Sequence, residues 1–270
     1  MFITAITDCQ DDNAINRMMT RALSLLDTGT FSGVTRLTSG LNRRAELEAA
    51  GNLVDILDAS EGRPGIVMGN VAPRNGDAHD RWDNGTPFGY FRYRETLVVT
   101  TIDGAMLSLV KKLGIVDTIN SIDMEKVVTD ELDHTTISYA PGKILGSQFR
   151  SFDFLPRVAV HLYQHGDVTS IPKSLEGVPD VNNVIWWIDS FGNCKTTLTP
   201  EDIQHRPDEP IETEFGPIGY RYSLKSVPDG ETALIVGSSG FKETRFLEIA
   251  TQGGNAAKEI SANVGDSVLL

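Results

Sequence analysis

The sequence predicts an α/β fold: an N-terminal α/β domain with a largely parallel central sheet, followed by a smaller C-terminal all-β domain. Two observations carry this expectation. Over residues 1–166, apolar β-rich runs alternate with stretches whose apolar residues recur at helical spacing, the pattern of parallel strands joined by crossover helices. After a polar, Pro-bearing connection at 167–181, residues 182–270 change to short strands separated by turns. A chain of 270 residues is long enough to give each region a core of its own.

Taken in order, MFITAIT is an apolar run ending at Asp8, and the following helix shows Ile15, Met18, Met19, Ala22, Leu25 and Leu26 at helical spacing. Asp11, Asp12 or Asn13 can cap that helix, because their side chains accept from unpaired amides of a first turn. RAELEAAGNLVDILDA reads as a second helix, IVMGNV and ETLVVTTID as strands, and GAMLSLVKKLG as a helix closed by Gly114. RSFDFLPRVAVHLYQHG is a loop running into a helix. In the second region VIWWIDS, CKTTLT, IGYRYSL, TALIVGSS, FLEIAT and DSVLL are the predicted strands.

Composition excludes several function classes. A formal net charge of -13 repels phosphate backbones and anionic lipid, and the basic groupings LNRRAE and YFRYRE are short and flanked by acids, so neither nucleic acid nor a membrane is the expected partner. Cys9 and Cys194 are too few and too far apart for a disulfide scaffold or a thiolate metal site. No segment is long and apolar enough to span a bilayer, and the N-terminal residues lack a signal-peptide pattern, which makes a cytoplasmic location the expectation. His161 and His165 have a helical spacing compatible with metal, but no third ligand accompanies them, and no metal site is expected.

Candidate binding residues fall where such folds bind ligands, beyond the carboxyl ends of strands. Asp8 is at such an end and can take two hydrogen bonds from ribose hydroxyls, or act as a turn or capping aspartate. In WWIDSFGNCKTTL, Gly192 and Asn193 suit a plain reversal. If the chain there is instead extended, Asp189, Phe191 and Asn193 share one face and present a carboxylate, a stacking ring and an amide. Gly253 and Gly254 can admit a flat base close to the backbone, or mark a β-turn. The Gly-rich dinucleotide fingerprint and the P-loop are both missing, which takes support from phosphate-bearing cofactors and leaves a nucleoside without phosphates open.

ITAITDCQDDNA, IDGAMLSLV, SQFRSFDFLPRVAVHL, WWIDSFGNCKTTL and GSSGFKETRFLEIATQGGNAA, in this order and at these separations, resemble the S-adenosyl-L-methionine hydroxide adenosyltransferase family, which includes the fluorinase and chlorinase enzymes. The resemblance spans nearly the whole chain. It implies an α/β domain, a β-barrel-like C-terminal domain, and a homotrimer with nucleoside sites at subunit interfaces. It places Asp8 on the ribose and the Asp11, Asp12, Asn13 loop at the methionine part. Asp189 and Asn193 would hold methionine or the sugar, with Phe191 as the stacking ring. Ser238, Ser239 and the segment Thr251, Gln252, Gly253 would surround the carboxylate and the adenine.

The chain also departs from that pattern. Members that transfer hydroxide resemble one another in an Asp and a His beside the attacking water; here VMGNVAPR puts Gly69 or Asn70 at the first position, with Arg74 nearby, and QFRSFD puts Arg150 at the second. Ser151 matches a serine of the halide-using members. Asn70, Arg74, Arg150 and Ser151 are therefore the expected catalytic set. The implied activity is cleavage of S-adenosylmethionine, as substrate and with no cofactor, by water or hydroxide at the ribose 5′ carbon. Halide transfer, or nucleoside binding without chemistry, are the alternatives.

Overall fold

Strand β1 (Phe2–Thr7) lies in the interior of the first sheet because its residues suit burial on both faces: Ile3, Ala5 and Ile6 are fully buried. The computed structural model describes residues 1–8, 12–26, 31–36, 44–71, 86–132, 141–203 and 209–270. Beside β1 it assembles β2 (Phe31–Arg36), β3 (Gly65–Asn70), β4 (Phe88–Tyr93), β5 (Thr96–Thr101), β6 (Thr118–Ile122) and β7 (Ser170–Ser174) in the order β2-β1-β3-β5-β4-β6-β7. The sheet is mixed: β2, β1, β3 and β5 run parallel, and each pairing beyond β5 is antiparallel.

Helix α1 (Asp12–Ser24) and α3 (Leu155–His165) cover one face, with α2 (Arg44–Ser60) between them in sequence. Met18, Met19 and Ala22 of α1 and Val158, Ala159 and Leu162 of α3 pack into one core with Ile3, Ala5, Ile66, Met68, Leu97 and Val99. These strand residues alternate along β1, β3 and β5, so one set of side chains faces the helices. Pro156 stands in the first turn of α3, where its missing N–H costs nothing, and Gly166 follows the last residue.

The chain divides into two compact units, 1–49 with 60–179, and 50–59 with 180–270. Residues Ala50–Ala59 of α2 thus belong with the C-terminal strands. β7 falls within the 167–181 connection, where its edge position, Pro172 and Lys173 account for its lack of a strand signature.

The second sheet runs β10-β11-β12-β13-β9-β8, from β8 (Ile185–Ile188), β9 (Cys194–Thr196), β10 (Pro210–Thr213), β11 (Gly216–Arg221), β12 (Thr232–Phe241) and β13 (Thr244–Thr251). The predicted DSVLL strand is reduced to two isolated bridges, at Ser267 and Leu269. Trp186 of β8 is 1% exposed, and a side chain at Gly51 of α2 would occupy the space of its indole. That close approach explains a glycine inside a helix, where it otherwise costs about 1 kcal/mol relative to alanine.

Candidate ligand site

In the first unit, Asp8 and Asn70 lie together at the carboxyl edge of the parallel strands. Asp8 is buried immediately after β1, and its N–H donates to Asn70 O at 3.3 Å; Asn70 ends β3, and its Nδ2 donates to Thr7 Oγ1 at 3.4 Å. Thr7 and Asn70 are direct register partners. Of the two positions expected from the resemblance to stand in place of an aspartate, Gly69 lies inside β3, where a Cβ would collide with Thr100, whereas Asn70 is at the strand end. On the next strand, the Thr101 hydroxyl donates to Val71 O and ties β5 to the exit from β3. Asp12 and Asn13 open α1, while Asp11 and Arg74 lie outside the described residues.

Arg150 and Ser151 begin the short helix Arg150–Asp153. Arg150 Nη2 donates to Thr86 O at 2.9 Å, ahead of β4, and the guanidinium carbon lies 5.8 Å from the centroid of the Phe88 ring. Burial pushes the Arg150 pKa below its ordinary value. The half-buried Ser151 follows it. Beside them opens a pocket of about 440 Å³ lined by Arg17, Lys143, Ser147, Gln148, Phe149 and Asp153. Ser147 Oγ donates to Asp153 Oδ2 at 2.6 Å and accepts from Phe149 N at 3.0 Å, which fixes this loop while leaving the Phe149 ring exposed.

In the second unit, the structure corrects the extended reading of residues 189–193. They form the turn between β8 and β9: Gly192 has φ +89°, its N–H donates to Asp189 O at 3.0 Å, and Asp189 N donates to Asn193 O at 3.1 Å. The Asp189 carboxylate closes the turn from inside, accepting from Phe191 N at 2.9 Å, Asn193 N at 3.0 Å and Asn193 Nδ2 at 3.0 Å. Asp189 and Asn193 therefore converge, but upon each other. Phe191 points elsewhere and is 76% exposed. The turn is seated on the segment after β13, with Gly192 O accepting from Ala257 N at 2.9 Å and Asn255 against Gly192.

The serines expected at a carboxylate are also engaged within the protein. Buried Ser239 accepts from Lys195 Nζ at 2.6 Å and donates to Asp55 Oδ2 at 2.8 Å, and Asp55 Oδ1 takes Gly240 N at 3.1 Å. Ser238 is exposed, with its hydroxyl 3.5 Å from Lys195 Nζ. Desolvation by burial pushes the Asp55 carboxyl up, against the pull of the Ser239 hydrogen bond and the Lys195 charge; Glu248 is pushed up by the same cause. One turn along α2, Asp58 pairs with Arg245 at 2.7 Å and accepts from Lys242 N at 2.7 Å. The KETRF segment is thus a hairpin end held by a helix, with Arg245 occupied there. The Asp55–Ser239–Lys195 cluster escapes sequence reading because Asp55 is separated from the other two by more than 100 residues, and neither Asp55 nor Lys195 offers a site signature of its own.

Thr251 Oγ1 shares a hydrogen bond with Thr232 Oγ1 at 2.7 Å and donates to Glu259 Oε2 at 3.2 Å. Gln252 N and O bond to Glu231 O and Gly230 N, and Gly253 turns the chain at φ +74°. Cys194 is a buried free thiol pushed up to about 12, first by desolvation and then by the Asp189, Glu248 and Asp266 charges. The His161 and His165 rings lie 4.8 Å apart, and burial and the His165 charge push His161 down against a smaller upward pull from Glu131. Among the described residues no group of three ligating side chains assembles around a metal position, and no helix is long and apolar enough to cross a membrane.

A mixed α/β unit with polar residues at its carboxyl edge and a β unit bearing a locked turn with one bare aromatic define a two-unit architecture suited to small-molecule binding. Residues 183–269 match the SAM hydroxide adenosyltransferase C-terminal domain, so the family resembled by the sequence motifs is the family found in this part of the protein. Two solved structures share the fold over the full length. An uncharacterized conserved protein from Thermotoga maritima superimposes with a TM-score of 0.66 at 16% identity, covering 100% of this chain and 99% of its own. A conserved hypothetical protein from Thermus thermophilus gives 0.60 at 14% identity, covering 99% of each. No curated protein matches the sequence.

Proposed function

We propose that the protein is a cytoplasmic enzyme that binds S-adenosylmethionine and cleaves it at the ribose 5′ carbon, releasing adenosine and methionine. The observation that carries this reading is the match of residues 183–269 to the SAM hydroxide adenosyltransferase C-terminal domain. The bare ring of Phe191 supports it, because an aromatic face held on a locked turn is an inexpensive platform for a purine. Asp8 supports it from the other unit, as a buried carboxylate at a strand end with the reach of two ribose hydroxyls.

In the proposed step, the oxygen of water forms a bond to the 5′ carbon as the carbon–sulfur bond breaks. The bonding pair leaves with sulfur, giving neutral methionine, and the proton of the attacking water passes to solvent. Sulfonium is already a good leaving group, so the protein contributes mainly alignment and exclusion of competing water, effects that reach about 7 kcal/mol or more in favourable cases. Asn70 orients the nucleophile through its amide, and Arg150 with Ser151 and Arg74 gives the pocket a positive field. The assembly we propose is a homotrimer.

A second reading has its own observation. Arg150 and Asn70 occupy positions where related enzymes resemble one another in His and Asp, and neither accepts a proton from water at neutral pH. That favours an anionic nucleophile such as halide, or a nucleoside-binding protein without turnover. Incubation with S-adenosylmethionine, with and without halide, followed by mass analysis separates the three. Adenosine with methionine supports hydrolysis, a 5′-halogenated adenosine supports transfer, and unchanged substrate despite tight binding measured by calorimetry supports the binding protein. Absence of both binding and products would overturn the proposal.

A further inference from the structure

Near the end of α3, His161 and His165 have the spacing that puts two side chains on one face of a helix. The structure brings their rings together: the centroids lie 4.8 Å apart, the planes are tilted by 46°, and His161 is half-buried while His165 is exposed. An imidazole nitrogen binds a divalent transition ion at about 2.1 Å, which puts the ring centroid about 3.2 Å from that ion. Two centroids 4.8 Å apart then subtend about 97° at a shared ion. This lies between the right angle of tetragonal sites and the tetrahedral angle. Spacing alone offers only the pair, but the fold adds a carboxylate. Glu131 ends the π-helical turn Val127–Glu131, in which Leu132 N donates to Val127 O at 3.0 Å, and its Oε1 accepts from Thr169 N at 2.9 Å. Such turns recur at functional sites. Held from both sides, the Glu131 carboxylate acts on His161, whose pKa is pushed down by burial and the His165 charge against its smaller upward pull.

We propose that His161 and His165 bind one divalent transition ion through a ring nitrogen each, with Glu131 supplying negative charge beside it and water filling the remaining positions. Imidazole donors select zinc, copper and nickel over magnesium and calcium, which take oxygen. Only two side chains ligate, so the site is open and exchangeable, unlike a closed structural cage. Ligation needs neutral rings, the form that burial favours for His161. Arg92 on β4 donates to Leu162 O at 2.9 Å and lies 3.9 Å from Asp167, so this neighbouring cation has partners of its own. The site lies within the first unit and uses no residue assigned to S-adenosylmethionine, so it stands or falls independently of that reading.

Full-length protein stripped with a chelator is titrated with zinc by calorimetry, with copper and nickel in separate titrations and magnesium as the control. Saturable binding of zinc to the histidine pair is expected, tighter for copper and absent for magnesium. The melting temperature should rise with zinc, because the unfolded chain does not hold the two rings together. Electron paramagnetic resonance of the copper-loaded protein should show coupling to two imidazole nitrogens. His165→Ala alters an exposed residue and is expected to weaken zinc binding by about tenfold or more, since one ring loses the chelate. Glu131→Gln keeps an oxygen for Thr169 N but removes the charge, and is expected to weaken binding severalfold. The other histidines, His79, His134 and His205, are the competing ligands, and replacing all three by Gln should leave the zinc midpoint unchanged. A wild type without saturable zinc binding would overturn the proposal. So would an affinity that survives both His165→Ala and His161→Gln, or one that the triple variant removes.

Discussion

Replacing Asp189 by Ala removes the acceptor that closes the β8–β9 turn. Three donors lose their partner: the N–H groups of Phe191 and Asn193, at 2.9 and 3.0 Å from Oδ1, and Asn193 Nδ2, at 3.0 Å from Oδ2. Hydrogen bonds to a charged group contribute about 1.5–3 kcal/mol each when sheltered. Phe191 is 76% exposed and the turn is only partly covered, so water recovers most of that value. The Asp189 N to Asn193 O bond survives the substitution. A net loss of about 2 kcal/mol follows, a fall in melting temperature of roughly 4–8 °C. Asp189→Asn keeps an oxygen for the two backbone donors but sets an amide against Asn193 Nδ2, and should lie between wild type and Ala. The same loosening unlocks Phe191, so adenosine affinity should fall about tenfold, the upper value of an aromatic stack, without any direct contact from Asp189. Urea denaturation gives the stability term and calorimetry with adenosine the binding term. In a Phe191→Ala background, Asp189→Ala should add little to the loss of affinity, because the ring through which it acts is gone. An Asp189→Ala protein with wild-type stability and no adenosine binding would refute the turn-lock and make Asp189 a direct ligand contact.

Other perturbations test the same structure. Gly51→Ala should destabilise by about 1–3 kcal/mol in thermal unfolding despite alanine's better helix propensity, because its Cβ enters the space of the Trp186 indole; Trp186→Leu should recover part of that loss. Asp58→Ala should cost about 1 kcal/mol at low salt and less at high salt, and should keep part of that cost once Arg245 is Ala, because the Lys242 N–H bond to Asp58 is lost as well, as read from a double-mutant cycle in chemical denaturation. Cys194 retains its proton in the folded protein up to about 12, whereas in the unfolded chain it ionises near 9.0. Between these values the unfolded state binds fewer protons, so the contribution is intact below pH 9 and is lost as pH rises towards 12, by about 4 kcal/mol at the top of the window. Cys194→Ala should remove that slope from the alkaline unfolding profile, and an unchanged profile would show that the thiol does not titrate this way.

What sequence reading reaches, and what it misses, divides along physical lines. β1, β3 and β5 are legible because strands buried on both faces are continuous apolar runs, and α1 and α3 because their core residues repeat at helical spacing. β4, FGYFRY, places Arg92 and a glycine in a strand whose character comes from antiparallel pairing with β5 and β6, and β7 hides behind Pro172; neither run carries a local signal. The mixed order of the sheet follows from those two. At the site, Asp8 is placed by the rule that polar residues at strand ends face a ligand crevice and Asn70 by the family resemblance, and the structure sets them side by side. The segment reads either as a reversal or as extended in sequence, because Asp189 and Asn193 offer the same donors and acceptors to a ligand as to their own backbone. Only geometry decides between the two, and here the carboxylate is turned inward.

That distinction bears on how candidate residues in such a protein are ranked. Polar type and the family resemblance select Asp189, Asn193, Ser239 and Thr251 alike, yet each has its hydrogen-bonding groups engaged within its own unit. To contact a ligand, any of them must break an existing bond, so ligand contact there costs about what that bond contributes, on the order of 1–3 kcal/mol. Phe191 carries no such cost, because its ring is exposed before any ligand arrives. Phe191→Ala should therefore change ligand affinity with little loss of stability, whereas Ser239→Ala, which removes the hydroxyl linking Lys195 to Asp55, should lower stability first.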